Sequence, residues 1–280
     1  MDTRQEFVQP GGGDWREFLV AAAGEGWRVP VTEIELFRGP LADSALALRC
    51  GGLFVGLVTL ANHGASAWIG NLIVPQAWRG RGYGQLLLDQ AILLLEQQQT
   101  RSIWLTASEA GFPLYQHRSF ETIGQVERWI LPKGSDARSA DSLPIDEDPN
   151  HASAALQDAD QAVWGERRAL LNYLLPKGRL LRCGASVALL QREPGLQILG
   201  PWFSDNSAIA EQRRLLALAV AVANTEEELV VDLRTGALPP QVLQDAGFVL
   251  QGHTRLMARG DGAGIDLSRL VSFASLGSMG

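Results

Sequence analysis

A chain of 280 residues is long enough for about two domains of typical size, and 46% hydrophobic with 20% charged residues is an ordinary globular composition. This excludes long disorder, collagen-like or coiled-coil character and a disulfide scaffold; the two cysteines, Cys50 and Cys183, lack metal-ligand spacing and fit a reducing cytoplasm with no metal. A net charge of −7 argues against nucleic-acid binding, no apolar run reaches the roughly 18 residues of a membrane helix, and MDTRQEFVQPGGGDW lacks a signal-peptide core.

In chain order, Asp14 reads as the N-cap of a helix over WREFLVAAAG that stops near Gly24. Glu33 and Glu35 alternate with Ile34 and Leu36, the pattern of a solvated strand edge. ALALRC and LFVGLVTLA around Gly51-Gly52 read as a hairpin, with Asn62-His63-Gly64 as a turn, and AWIGNLIV as a third strand ended by Pro75. After RGRGYG, the leucines and isoleucines of QLLLDQAILLLEQQ recur at three and four residues, giving an amphipathic helix. SIWLTA reads as a buried strand, GFPLYQHRS as a short helix and FETIGQVERWILP as a last strand. Strands interleaved with packed helices imply an α/β (α+β) mixed sheet. The predicted domains are 1–132, an acidic linker over 133–165 and a second domain over 166–280; the linker holds 2 basic against 7 acidic residues, most of the chain's net charge.

The second half repeats the first. Leu48-Arg49-Cys50-Gly51 returns as Leu181-Arg182-Cys183-Gly184, each before an apolar strand, and Ile69-Gly70 returns as Leu199-Gly200. The helices QLLLDQAILLL and RRLLALAVAVA, the strands SIWLTA and ELVVDL, and the strand-opening Phe120 and Phe248 continue the series. An ordered series of this kind points to an internal duplication.

Arg79-Gly80-Arg81-Gly82-Tyr83-Gly84 lies between a strand and a helix. Glycines let backbone amides approach a ligand, and the helix start adds unpaired donors and positive potential, so the loop suits a phosphate or pyrophosphate. A tight turn needing positive φ is the plainer reading of such a loop. A P-loop would need Gly-Lys-Ser/Thr where Gln85-Leu86 stand, and a dinucleotide fingerprint would need an acid where Thr100 and Arg101 lie.

The arrangement resembles the GNAT superfamily of acyl-CoA-dependent N-acetyltransferases. Its Arg/Gln-x-x-Gly-x-Gly/Ala signature is met by Arg79, Gly82 and Gly84, after a Leu-x-Val strand end at Leu72-Ile73-Val74. Its later Leu-Tyr-x-x-x-Gly-Phe motif is met by Leu114, Tyr115 and Phe120, with Ser119 replacing the glycine. Ser108 stands where the family often has asparagine, and the strand-ending proline is displaced to Pro75. The resemblance covers roughly residues 5–132 and, through the repeat, suggests a tandem-domain bacterial type with a degenerate second domain: no glycine falls in 207–217, and Leu243 takes the place of Tyr115.

The resemblance implies an acetyl-CoA-dependent N-acetyltransferase acting on a small-molecule or peptide amine. It places coenzyme A against Leu72, Ile73, Val74, Arg79, Gly80, Arg81, Gly82, Tyr83, Gly84, Gln85 and Ser108. Backbone amides around Leu72–Val74 would stabilise the oxyanion, and Tyr115 would be the acid for the departing thiolate. For the base, Glu109, His63, His117, Glu33 and Glu35 are candidates, each with solvated surface as the plainer reading. Trp27, Phe37 and Trp68 are acceptor-contact candidates whose plainer role is the core. The second domain would shape the acceptor site or provide an interface, within the chain or in a homodimer; Trp202 and Phe203 fit such a face or its core. The competing reading is a non-catalytic acyl-CoA-binding sensor or scaffold.

Overall fold

A computed structural model of the protein describes residues 4–135, 149–205, 208–262 and 264–280. Its contacts divide the chain into two units, Met1–Glu121 with Met257–Gly262, and Thr122–Leu256 with Ala263–Gly280.

The first unit contains β1 (Gln5–Val8), α1 (Gly12–Gly24), α2 (Val31–Arg38), β2 (Ala45–Cys50), β3 (Leu53–Asn62), β4 (Ser66–Ile73), α3 (Tyr83–Gln97), β5 (Ser102–Ala107) and α4 (Phe112–Gln116). The strands lie in sequence order, antiparallel through β4, with β5 parallel to β4 across the α3 crossover. The leucine period of α3 does what its spacing predicts: Leu87, Leu88, Ala91, Ile92 and Leu95 pack onto Val58, Leu60, Ile69, Ile103 and Leu105 of the sheet.

Two local expectations change. Asp14 is the third residue of α1, not its cap; its buried carboxylate accepts from Gly11 N at 2.8 Å and from Arg49 Nε and Nη2 at 3.1 and 2.8 Å. It thus satisfies a free helix donor and pins α1 to β2 together. Glu33 and Glu35 sit on the eight-residue helix α2, not on a strand edge. Four residues of alternation cannot separate period 2 from period 3.6, and the buried face of α2 holds Glu33, Ile34, Leu36 and Phe37 together.

The second unit contains β6 (Glu121–Leu131, all but its first residue), α5 (Pro149–Trp164), α6 (Leu170–Leu174), β7 (Gly178–Cys183), β8 (Ser186–Glu193), β9 (Leu196–Phe203), α7 (Ile209–Val222), β10 (Glu228–Arg234), α8 (Pro240–Asp245), β11 (Val249–Gly260, through Leu256) and β12 (Leu270–Ser272). From β7 to β11 the order of strands and helices repeats that from β2 to β6. The closing strands differ from the expected division at residue 132. β6 pairs antiparallel with β10 of the second unit, from Leu131 opposite Leu229 to Val126 opposite Arg234. A bidentate pair joins the same strands, with both Arg128 Nε and Nη2 2.8 Å from the buried Asp232 carboxylate. The end of β11 belongs instead to the first unit, where Met257 joins the α3 core and Asp261 N donates to Arg101 O at 2.9 Å.

The predicted linker also changes. Residues 136–148 lie outside the described residues, but Pro149–Trp164 form α5. Its Ala152, Leu156, Ala159 and Val163 are buried at helical spacing. Alanines carry half of that face, and they gave too weak an apolar signal among the polar residues to read as a period.

Candidate active site

The site is built where β4 ends. Gly70 faces Thr59, but Ile73 faces Leu57, so Val58 alone opposes Asn71 and Leu72: a β-bulge. The extra residue resets the alternation. Before it Ala67 and Ile69 face α3; after it Leu72 and Val74 do. Asn71 carries the strain, with φ at 53°, a left-handed conformation that asparagine tolerates better than most residues.

The bulge lies beyond the point where β4 leaves β5. Their parallel pairing covers only Ser66–Trp68 opposite Ser102–Trp104. From Ile69 onward the facing edges of β4 and β5 have no strand between them among the described residues. The edge groups of β4 there are available to an extended ligand, as a strand's are to an added strand.

The glycine loop closes this opening. Gly80 and Gly82 have φ of 75° and 81°, and a Cβ on either would meet nothing within 4 Å. The turn reading of these glycines therefore holds, and the loop also leaves open space in front of α3, whose Tyr83, Gly84 and Gln85 amides have no acceptor within the helix. Gly84 lies where three elements converge: its Cβ would be 3.7 Å from both Val74 Cγ2 and Leu114 Cδ2, ordinary contacts at a crowded junction.

The charged and aromatic groups have settled partners. Arg79 Nε donates to Val74 O at 3.0 Å and its Nη2 to Glu25 Oε1 at 2.6 Å, tying the loop to the strand end and to α1. The Arg81 guanidinium lies 4.9 Å over the Trp78 ring. Tyr83 turns inward against Trp78 and Cys50, and its hydrogen bond with the Cys50 thiol raises the phenol pKa. The Tyr83 side chain is thus buried in the α3 core. Ser108 Oγ accepts from Gly111 N at 3.2 Å, ordering the turn into α4, while Gln85 is exposed at the start of α3.

Tyr115 is buried, edge-on to Phe120 at 6.0 Å between ring centroids. Burial pushes its phenol up to about 12. The group therefore holds its proton at neutral pH; its contribution to stability is complete below about pH 10 and is lost as pH rises through about 12. Ser119 has φ 62°, which explains why glycine suits that position.

Of the acceptor candidates, Phe37 and Trp68 are buried core residues, while Trp27 is 39% exposed beyond α1, near the 48% exposed Val31 that opens α2. Of the base candidates, Glu109, Glu35 and His117 are exposed, and His117 Nδ1 is engaged with Pro113 O. His63 is in the β3–β4 turn, roughly 15–20 Å along β4 from the bulge. Glu33 is buried, and its Oε1 accepts from Asn71 Nδ2 at 2.7 Å. Of the five, only Glu33 is buried, a difference that depends on the bulge and on α2 and not on local sequence.

The same place in the second unit is filled. The parallel pairing of β9 and β10 also stops after three residues, at Ile198 opposite Val230. There β12 enters, with Leu270 opposite Phe203, and Ser272 opposite both Trp202 and Leu233. Ser272 Oγ donates to Leu199 O at 2.7 Å, and Gln191 Nε2 donates to Gly200 O and Ala274 O at 2.6 and 2.7 Å. A Cβ on Gly200 would fall 1.9 Å from Phe273 O, so only glycine admits this segment. Residues 206 and 207 lie outside the described residues; from Ala208 the start of α7 holds no glycine, and its Glu211 carboxylate accepts from Ala185 N at 2.7 Å. Leu243 is buried on α8, and Trp202 and Phe203 are core.

Among the described residues, no group of three His, Cys, Asp or Glu is placed to hold a metal, and no helix is long and apolar enough to cross a membrane. Residues 14–120 match the model of the acetyltransferase (GNAT) family. No curated protein sequence matches the chain significantly. Solved structures do. A Pyrococcus horikoshii protein assigned as an acetyltransferase is 17% identical with a TM-score of 0.78, over 98% of this chain and 95% of that one. A GCN5-related N-acetyltransferase from Sphaerobacter thermophilus is 15% identical with a TM-score of 0.68, over 95% and 98%. A tandem GNAT protein from the clavulanic acid biosynthesis pathway is 14% identical with a TM-score of 0.58, over 92% and 98%. Residues 14–120 thus match the acetyltransferase (GNAT) family, and over most of its length the chain shares the fold of these solved structures, one of which is a tandem GNAT protein.

Proposed function

We propose that the protein is an acetyl-CoA-dependent N-acetyltransferase for a small-molecule or peptide amine, with all of its chemistry in the first unit. The observation that carries this reading is the opening between β4 and β5, which ends at the glycine loop, beside the helix that holds Tyr115. Pyrophosphate fits the open space before the Tyr83, Gly84 and Gln85 amides, and the pantetheine arm fits the free edge of β4. Backbone amides at Leu72–Val74 would receive the oxyanion, and Tyr115, protonated up to about 12, would transfer its proton to the leaving sulfur.

Thiol release from acetyl-CoA tests this with spermidine, tryptamine and a tripeptide with a free N-terminus. Turnover with at least one is expected, and Tyr115→Phe should lower kcat about 10- to 100-fold with little change in the acetyl-CoA KM. A chain that binds coenzyme A yet releases no thiol with any of them would be the non-catalytic binder instead.

The filled opening of the second unit supports one coenzyme site per chain. Calorimetry of the full chain with coenzyme A is expected to give a stoichiometry near one. A value near two would show that β12 yields to the ligand and would overturn the asymmetry.

A further inference from the structure

The mechanism above lacks a group to take the proton from the incoming ammonium, and the bulge turns the side chain of Asn71 onto a buried carboxylate. Glu33 is 1% exposed and Asn71 4%. A carboxylate is costly to bury, and here its Oε1 receives the Asn71 amide at 2.7 Å. That amide belongs to the one residue of β4 held in a left-handed conformation, immediately before Leu72. A regular strand would turn residue 71 toward α3, with Ala67 and Ile69; the bulge turns it toward α2. The strained residue thus serves Glu33 through its side chain, while the next backbone unit borders the opening.

We propose that Glu33 accepts the proton of the acceptor amine and that Asn71 is its positioning residue. This deepens, and rests on, the acetyltransferase reading. The ammonium gives one proton to the Glu33 carboxylate, directly or through a water. The freed nitrogen lone pair attacks the thioester carbon; the C–N bond forms, the C–S bond breaks, and the sulfur leaves with the bonding pair and takes the Tyr115 proton. The second nitrogen proton restores the tyrosine through solvent, and Glu33 releases its own to solvent. One amide, one free thiol and one proton result.

The test uses Glu33→Gln and Asn71→Gly in the full chain, with whichever of spermidine, tryptamine or the tripeptide turns over fastest. The glutamine of the first variant keeps an oxygen to accept from Asn71, and the glycine of the second keeps the left-handed backbone while deleting the amide. Glu33→Gln should lower kcat about 100-fold at pH 7 with coenzyme A affinity and melting temperature unchanged. The deficit should shrink as pH rises past the pKa of the free amine, because the amine then arrives without its proton. Asn71→Gly should lower kcat about 10-fold and flatten the same pH profile less. A wild-type kcat in Glu33→Gln, or a deficit constant across pH with a lowered melting temperature, would make the pair a clamp between α2 and β4 and overturn the proposal. A wild type silent with all three amines would overturn the acetyltransferase reading and this assignment together.

Discussion

Gly82→Asp is expected to weaken coenzyme A binding about 100- to 1,000-fold while leaving the melting temperature of the free protein near that of the wild type. The wild-type φ of 81° is left-handed, and aspartate is among the residues that tolerate it, so the fold should accept the change. Nothing lies within 4 Å of the new Cβ, so the side chain enters the space in front of α3 instead of disturbing the core. A carboxylate about 4 Å from a pyrophosphate oxygen costs on the order of 4 kcal/mol at an effective dielectric of 20, somewhat less where salt screens it. Gly82→Ala, with the strain but without the charge, separates the two effects and should lose far less affinity. Calorimetry decides: an unchanged Gly82→Asp affinity would remove the pyrophosphate from this loop.

Arg168→Ala carries the other large effect, about 3–5 kcal/mol of stability in the second unit. Arg168 and Asp160 are each 1% exposed in their side chains and are joined by hydrogen bonds of 3.1 Å or less from Nε and Nη2. Arg168 Nη1 also donates to Met279 O and Gly280 O at 3.0 and 3.2 Å, and the guanidinium lies 4.5 Å over Trp164. Alanine would leave the α5 carboxylate of Asp160 charged, buried and unpaired by Arg168, and would release the segment that follows β12. Urea unfolding should show a lower midpoint, and the double variant Asp160→Leu with Arg168→Met should recover part of the loss, since a buried pair is often replaceable by apolar groups of similar volume. A loss below about 1 kcal/mol in Arg168→Ala would mean that water reaches the pair.

Much of the first unit was legible because its signals are local. The α3 period, the glycines before it and the strand ending at Leu72–Val74 each lie within a few residues, and the repeat extends them to the second half. What escaped depends on distant partners or on weak faces. Nothing within Glu121–Leu131 marks β10 as its neighbour, nor does Leu270–Ser272 announce that it fills the gap between β9 and β10. The alanines of α5 hid a helix inside an acidic segment, and β1 is a four-residue edge strand with no apolar period. In the site, the glycine loop and Tyr115 were readable as motifs. The burial of Glu33 against Asn71 was not readable, because it depends on α2 being a helix and on the bulge in β4.

The exchange of closing strands sets the order in which the molecule can mature during synthesis. Residues through Glu121 leave the ribosome early, yet the first unit is incomplete until Met257–Gly262 follow. At ~5–20 residues per second the wait is roughly 7–30 s. For that interval β5, with the apolar sequence SIWLTA, lacks the neighbour that β11 becomes, and an unpaired apolar edge invites wrong pairing. A stalled or truncated nascent chain would therefore hold the glycine loop and Tyr115 without the finished core beneath them, and the first unit would be complete only once Gly262 has been made.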